Sequence, residues 1–239
     1  ILYAVLQVGW LAADERPAVE QRDFARVVHW GHVLRGDALG AVYPVTGDHV
    51  RHSPFLTVWT APFLALFGCR LDVAVLSLLP FAALLMLAVY GIARRYVSST
   101  AASIASLLAL AFHHFAVVEP LYPAYAFLKE YKADFPLSAL VAATFWGMLG
   151  LRDCASRRRI AAVALIAAVG MLTRVSFPIF VAVLATALWI DGIRDGATWK
   201  RIAYALALAA CLAAPWYLFH AAGILRYFVE REVNPDWAL

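Results

Sequence analysis

The chain has 239 residues, of which 64% are hydrophobic and 15% are charged, and its formal net charge is +4. With a mean hydropathy of +0.74, it carries more apolar surface than a soluble domain of this length needs, so lipid is predicted to surround most of it. Its basic residues lie in short segments between apolar stretches and form no extended basic face, which excludes a nucleic-acid-binding protein. The three cysteines match neither a disulfide framework nor a metal-binding spacing.

The first part of the chain combines a short apolar segment with two surface helices. Residues 1–12 are apolar but fall short of the roughly 20 residues that a span needs, so we interpret this segment as truncated at its start. Residues 17–35 and 54–67 are predicted to be interfacial helices that end at Gly36 and Gly68. Ser53 is predicted to cap the second of these helices.

The rest of the chain predicts an all-α, multi-pass transmembrane protein. Four segments are long and apolar enough to be considered as full spans, namely residues 73–93, 100–118, 135–151 and 202–221. Residues 160–190 are apolar but too long for one span, and we interpret them as a hairpin that turns near Arg174 and Pro178.

Positive charge sets the predicted topology. Nine of the 20 Lys and Arg residues lie in three short loops, 92–99, 152–159 and 191–201. The positive-inside rule places such loops in the cytoplasm. Residues 13–72 then form a first external loop, which contains both interfacial helices, and residues 119–134 form a second.

Ionisable residues border the predicted spans on this external face. Carboxylates can remove a proton from an acceptor, and Arg, Lys or His can bind a phosphate. Because both kinds of group are predicted on one side, a group-transfer site is a reasonable hypothesis. The candidates are Asp14, Glu15, Arg51, His52, Asp134 and Arg174.

An ordered set of short motifs resembles the C-type membrane glycosyltransferases, in particular the branch of protein O-mannosyltransferases and lipid A aminoarabinose transferases. The matching motifs extend over the whole chain, but enzymes of this family are about twice as long. The resemblance therefore implies that residues 1–239 are one membrane-embedded, glycosyltransferase-like domain that forms the N-terminal part of a longer protein. They are Ala13-Asp14-Glu15, Gly36-Asp37, Tyr43-Pro44, Gly47, the run from His52 to Trp59, Leu66-Phe67-Gly68, Asp134-Phe135-Pro136-Leu137, Leu172-Thr173-Arg174 and Ala214-Pro215-Trp216-Tyr217.

The resemblance implies a role for each candidate residue. Asp14 matches the presumed general base and Glu15 its supporting partner, while Asp134 matches an acid that shapes the acceptor or cation site. Arg51 or His52 falls where the family has a phosphate-binding Lys, and Arg174 falls where it often has a Lys facing the same cavity. His52-Ser53 departs from the family's pattern, and His is only partly charged at neutral pH, so Arg51 is the preferred phosphate ligand.

The resemblance implies transfer of a sugar, with inversion, from a polyprenyl-phosphate donor to a hydroxyl or amine of a protein, lipid or glycan. The active site would face outward from a bacterial plasma membrane. A divalent cation is an open possibility at Asp14 and Asp134, and the metal requirement is unknown.

Other interpretations stay open. Asp134 also suits the N-cap of the helix that follows it, and Arg51 and His52 could anchor the chain at lipid headgroups. A transporter or lipid flippase with a polar intramembrane path is the alternative function, and a subunit without activity of its own is a third.

Overall fold

The computed structural model describes residues 28, 31, 34–36, 54–115, 133–153, 156–190 and 195–233, without the side chains of residues 71, 111–115 and 223–233. Within these ranges the fold is all-helical and contains no strand, as predicted. The helices between residues 54 and 233 are α1 (Phe55–Phe67), α2 (Leu71–Leu76), α3 (Leu79–Ala93), α4 (Ser99–Phe115), α5 (Asp134–Asp153), α6 (Arg157–Met171), α7 (Phe177–Ile190) and α8 (Gly196–Val233).

Three helical segments of the described chain are long and apolar enough to cross a membrane: Asp72–Ala93, Asp134–Asp153 and Gly196–Ala222. Three further apolar helices are shorter, namely Phe55–Phe67, Ser99–Leu110 and Phe177–Ile190. The predicted spans 73–93, 135–151 and 202–221 therefore coincide with helices of sufficient length. A crossing by residues 100–118, or by the arms of the hairpin, stays a prediction.

Helix α5 lies at the centre of the described bundle and contacts α3, α6, α7 and α8. Phe135 at its start is fully buried, together with Phe177 at the start of α7. Glycine permits close packing where a side chain of a neighbouring helix approaches. A Cβ on Gly91 of α3, for example, would overlap the indole of Trp146 on α5.

Both predicted glycine stops are confirmed, and the predicted cap of α1 is wrong. Gly36 has a φ of 73° and Gly68 a φ of 103°, in the left-handed region where glycine ends helices. The cap of α1 falls at Pro54, without a side-chain hydrogen bond, and not at Ser53. Within the candidate span Asp72–Ala93, the helix is interrupted between α2 and α3, because Pro80 has no N–H to extend the helical hydrogen bonding.

Helix α1 is held against the break between α2 and α3. The indole N–H of Trp59 donates to the carbonyl oxygen of Ser77 at 2.8 Å, and the hydroxyls of Thr60 and Ser77 lie 2.9 Å apart. The Trp59 ring also packs edge-to-face on Phe81. That α1 lies along a membrane surface, like the interfacial position of residues 17–35, stays a prediction.

The predicted basic loops meet at one end of the bundle, which we call the Asp153 end. Arg95, just after α3, forms an ion pair with Asp153. Arg159 of α6 donates to the carbonyl of Gly150 at 2.7 Å, and Arg201 of α8 donates to that of Leu151 at 3.0 Å. For the described parts of the three loops, the prediction that they share one side of the fold is confirmed; the assignment of this side to the cytoplasm stays a prediction.

Helix α8 begins at the Asp153 end with a carboxylate cap. Asp195 accepts hydrogen bonds from the backbone N–H groups of Ala197 (3.1 Å) and Thr198 (3.0 Å) and from the Thr198 hydroxyl (2.8 Å). The Thr198 hydroxyl, followed by the two backbone N–H groups, lowers the pKa of Asp195 below its ordinary value of 3.8. A lowered pKa means that the folded state favours the ionised carboxylate.

We expect Asp195→Ala to lower the thermal stability at neutral pH, because it removes the cap of α8. In the wild type this stabilisation is complete above pH 3.8 and is lost as the pH falls through the lowered pKa of the folded state. Melting curves between pH 7 and pH 2.5 should therefore converge for the two proteins at the acid end. Asp195→Asn keeps an acceptor that does not titrate. A difference in melting temperature between wild type and Asp195→Ala that stays constant at every pH would contradict the assignment.

Candidate functional site

Two of the predicted site residues form an ion pair at the opposite end of the bundle, which we call the Asp134 end. Nη2 of Arg174 lies 2.9 Å from each carboxylate oxygen of Asp134. The two residues are 40 positions apart in the chain, at the start of α5 and in the turn between α6 and α7. Their side chains are 35% (Asp134) and 44% (Arg174) exposed, so both can be reached from outside the bundle.

The turn that carries Arg174 is held by its own hydrogen bonds. The Thr173 hydroxyl donates to the carbonyl of Val169 at 2.7 Å, and Thr173 is 2% exposed. The backbone N–H of Arg174 donates back to Gly170, and the Arg174 carbonyl accepts from Phe177 at the start of α7. The predicted hairpin, with Arg174 at its turn, is therefore confirmed, whereas Pro178 lies in the first turn of α7.

Two other helices bind the carbonyl groups just before this turn. The Tyr217 hydroxyl of α8 donates to the carbonyl of Met171 at 2.7 Å. The backbone N–H of Phe55, the first residue of α1, donates to the carbonyl of Leu172 at 3.0 Å. These bonds satisfy carbonyls that the end of α6 would otherwise leave without a partner. They also fix the position of Arg174 relative to α1 and α8.

The side chains beneath this turn are closely packed. Gly170, in the last turn of α6, faces the ring of Phe177 so closely that a Cβ there would overlap it. Phe177 is fully buried. Since interiors are packed at crystal-like density, this contact leaves the turn little room to shift.

The pair can bind an anion more readily than a cation. A guanidinium has five N–H donors, and Asp134 uses only Nη2 of Arg174, which leaves donors for a phosphate oxygen. A cation at Asp134 would have to share the carboxylate with Arg174. Across the described residues, no three His, Cys, Asp or Glu side chains come together as a possible metal site.

The remaining predicted site residues, Asp14, Glu15, Arg51 and His52, lie outside the described residues. Their roles stay predictions. The structure contributes one fact about their sequence neighbourhood: Phe55, three residues after His52, is bonded to the turn that carries Arg174.

Tyr217 belongs to this site, although no role was predicted for it. It lies in the Ala214-Pro215-Trp216-Tyr217 motif, next to an aromatic group in which Trp216 stacks on His220 with ring centroids 4.9 Å apart. Besides that motif, the signal in the sequence was a hydroxyl-bearing aromatic residue within an otherwise apolar helix, since a buried Tyr hydroxyl usually finds a partner.

The described residues form a helical bundle with three candidate membrane spans and an accessible Arg–Asp pair at one end. No protein-family model matches the chain. No curated protein and no solved structure matches it either.

Proposed function

We propose that this protein is a membrane glycosyltransferase that moves a sugar from a polyprenyl-phosphate donor to a hydroxyl or amine acceptor. The observation that carries the proposal is the Asp134–Arg174 ion pair. It joins two residues that the family resemblance independently implies to be part of one site, and it lies at the end of the bundle opposite the dense basic loops.

The chemistry of such a donor suits an arginine. As the bond between the anomeric carbon and the phosphate oxygen breaks, the leaving polyprenyl phosphate takes the bonding electron pair and gains one negative charge. Arg174, held in place by the bonds around its turn, would stabilise that charge as it develops. Preorganised donors of this kind act best when their position is fixed before the reaction.

The acceptor needs a base on the other side of the sugar. Asp14, supported by Glu15, would remove the acceptor's proton while the acceptor oxygen or nitrogen forms its bond to the anomeric carbon. Attack opposite to the leaving phosphate inverts the configuration. Arg51 or His52 would add a second contact to the phosphate, and Asp134 would keep Arg174 oriented at the edge of the acceptor site.

The positions of the charged residues favour an enzyme over the transporter alternative. Ionisable residues on a transport path occur within the span. Helices α3 and α7 contain no Asp, Glu, Lys or Arg. In α5 and α6 these residues lie only in the first or last turn. Among the described residues, the ion pairs that involve α5, Asp134–Arg174 and Arg95–Asp153, lie at its two ends.

The decisive experiment measures sugar transfer by the purified full chain in lipid nanodiscs. A panel of synthetic polyprenyl-phosphate sugars is supplied, and the release of polyprenyl phosphate is followed with and without acceptor. We expect release from at least one donor, and we expect Asp14→Asn to abolish it while donor binding is retained, since only the base is lost. Asp72→Asn is the control, because Asp72 is a carboxylate whose partner is the exposed Arg70.

Two outcomes would contradict the proposal. Normal turnover by Asp14→Asn would remove the assigned base. No release from any donor, combined with movement of a fluorescent polyprenyl phosphate across proteoliposome membranes, would favour the flippase alternative.

A further inference from the structure

The Asp153 end holds far more positive than negative charge. Among the described residues there, the carboxylates are Asp153, which pairs with Arg95, and Asp195, which caps α8. Both are therefore already engaged. The basic residues of this end number eight in the described ranges: Arg94, Arg95, Arg152, Arg157, Arg158, Arg159, Lys200 and Arg201.

Half of these basic side chains have a structural role in the protein. Arg159 and Arg201 donate to the neighbouring carbonyls of Gly150 and Leu151 and so cap the C-terminus of α5. Arg94 donates to the carbonyl of Val97, and Arg95 has its ion pair. The exposed side chains of the other four have no partner among the residues that the structure describes: Arg152, Arg157, Arg158 and Lys200.

The first turn of α6 is electrostatically unfavourable as it stands. A helix N-terminus carries partial positive charge and favours acidic side chains. Helix α8 follows this rule with Asp195, whereas α6 begins with Arg157 and Arg158 and has no acid in its first turn. Because Arg159 and Arg201 bind adjacent carbonyls of α5, the first turns of α6 and α8 lie side by side, which brings Lys200 to the same region.

The surface around this region indicates a lipid headgroup. Trp189 and Trp199 pack together with ring centroids 5.8 Å apart, and Trp residues concentrate at the level of membrane headgroups. Large apolar side chains are exposed on the adjoining helices, including Leu165, Ile190 and Tyr204. A phospholipid whose phosphate lies at the level of Lys200 would thus place its acyl chains against this exposed apolar surface.

We propose that Arg157, Arg158 and Lys200 bind the phosphate of an anionic phospholipid at the Asp153 end. The site is separate from the Asp134–Arg174 pair and does not depend on sugar transfer. Basic groups at the end of a helical bundle attract anionic lipid headgroups, and the attraction falls with salt.

Native mass spectrometry of the purified chain, mixed with phosphatidylglycerol or phosphatidylcholine, tests this site. We expect the wild type to retain phosphatidylglycerol preferentially at low salt and to lose that preference as salt is raised. Arg157→Gln/Arg158→Gln should weaken retention about 30-fold and Lys200→Gln about fivefold, from the typical effect of each basic residue near a lipid surface. Arg70→Gln removes one exposed charge that pairs with Asp72 and should change nothing.

Several results would overturn the proposal. One is equal retention of the two lipids by the wild type, or a preference that salt does not change. Another is an unchanged preference in the double variant. Displacement of the lipid by millimolar inorganic phosphate would show that the site takes free phosphate. If the double variant does not fold, as judged by its melting curve, Lys200→Gln and the salt dependence of the wild type decide the outcome.

Discussion

Arg174→Gln is expected to reduce the proposed sugar transfer about 10²- to 10³-fold in kcat, the usual effect of removing one preorganised donor to a developing negative charge. Glutamine keeps similar length and polarity but loses the charge and the forked donors of arginine. The measurement is the release of polyprenyl phosphate at saturating donor. Arg70→Gln, which breaks the exposed Arg70–Asp72 pair, should leave kcat unchanged.

A charge swap separates catalysis from structure. Asp134→Arg combined with Arg174→Asp keeps an ion pair between α5 and the α6–α7 turn. It moves the guanidinium from the hydrogen-bonded turn to the start of α5. Because the pair is partly exposed, it should contribute only about 0.2–1 kcal/mol to stability, so both Arg174→Gln and the swap should melt close to the wild type. Recovery of wild-type transfer by the swap would show that the pair is structural and that Arg174 does not bind the phosphate.

Gly170→Ala is expected to lower the free energy of unfolding by about 1–3 kcal/mol, the range found for overpacked cores. The new Cβ would overlap the ring of Phe177, which is fully buried and cannot move into solvent. Displacing Phe177 would also move the turn, because the Phe177 N–H donates to the Arg174 carbonyl. Sugar transfer should therefore fall together with stability.

Gly196→Ala is the matched control for this substitution. Nothing lies within 4 Å of a Cβ at Gly196, and its φ is not positive, so alanine there should be neutral or slightly stabilising. Thermal melting of both variants in one detergent measures the difference. Equal melting temperatures for Gly170→Ala and the wild type would mean that α6 and α7 can separate at no cost, contrary to the close packing seen here.

Features that depend on local sequence were predicted well. The glycine stops at Gly36 and Gly68 follow from the conformational freedom of one residue. The helices near residues 135–151 and 202–221 follow from runs of apolar side chains. The hairpin turn at Arg174 was found because a charged residue in an apolar stretch marks an end. The interruption between α2 and α3 was not predicted, because hydropathy ignores the N–H that Pro80 lacks.

Features that depend on contacts between distant residues were not predictable in the same way. The family resemblance gave Asp134 and Arg174 different roles, and no pattern in the sequence indicated a direct pair across 40 positions. Nor did it indicate that Tyr217 and the Phe55 N–H hold the carbonyls of Met171 and Leu172. These contacts depend on how α1, α5, α6 and α8 pack, and a single hydrogen bond leaves no periodic signal.

Hydropathy and charge alone predict a helical chain suited to lipid, with its basic loops on one side, because both act additively along short segments. Which ionisable groups meet depends instead on how the helices pack. The fold brings Asp134 and Arg174 together, and among the described residues it gives Arg157, Arg158 and Lys200 no ion-pair partner, since residues far apart in the chain pair only where packing brings their charged atoms within about 4 Å.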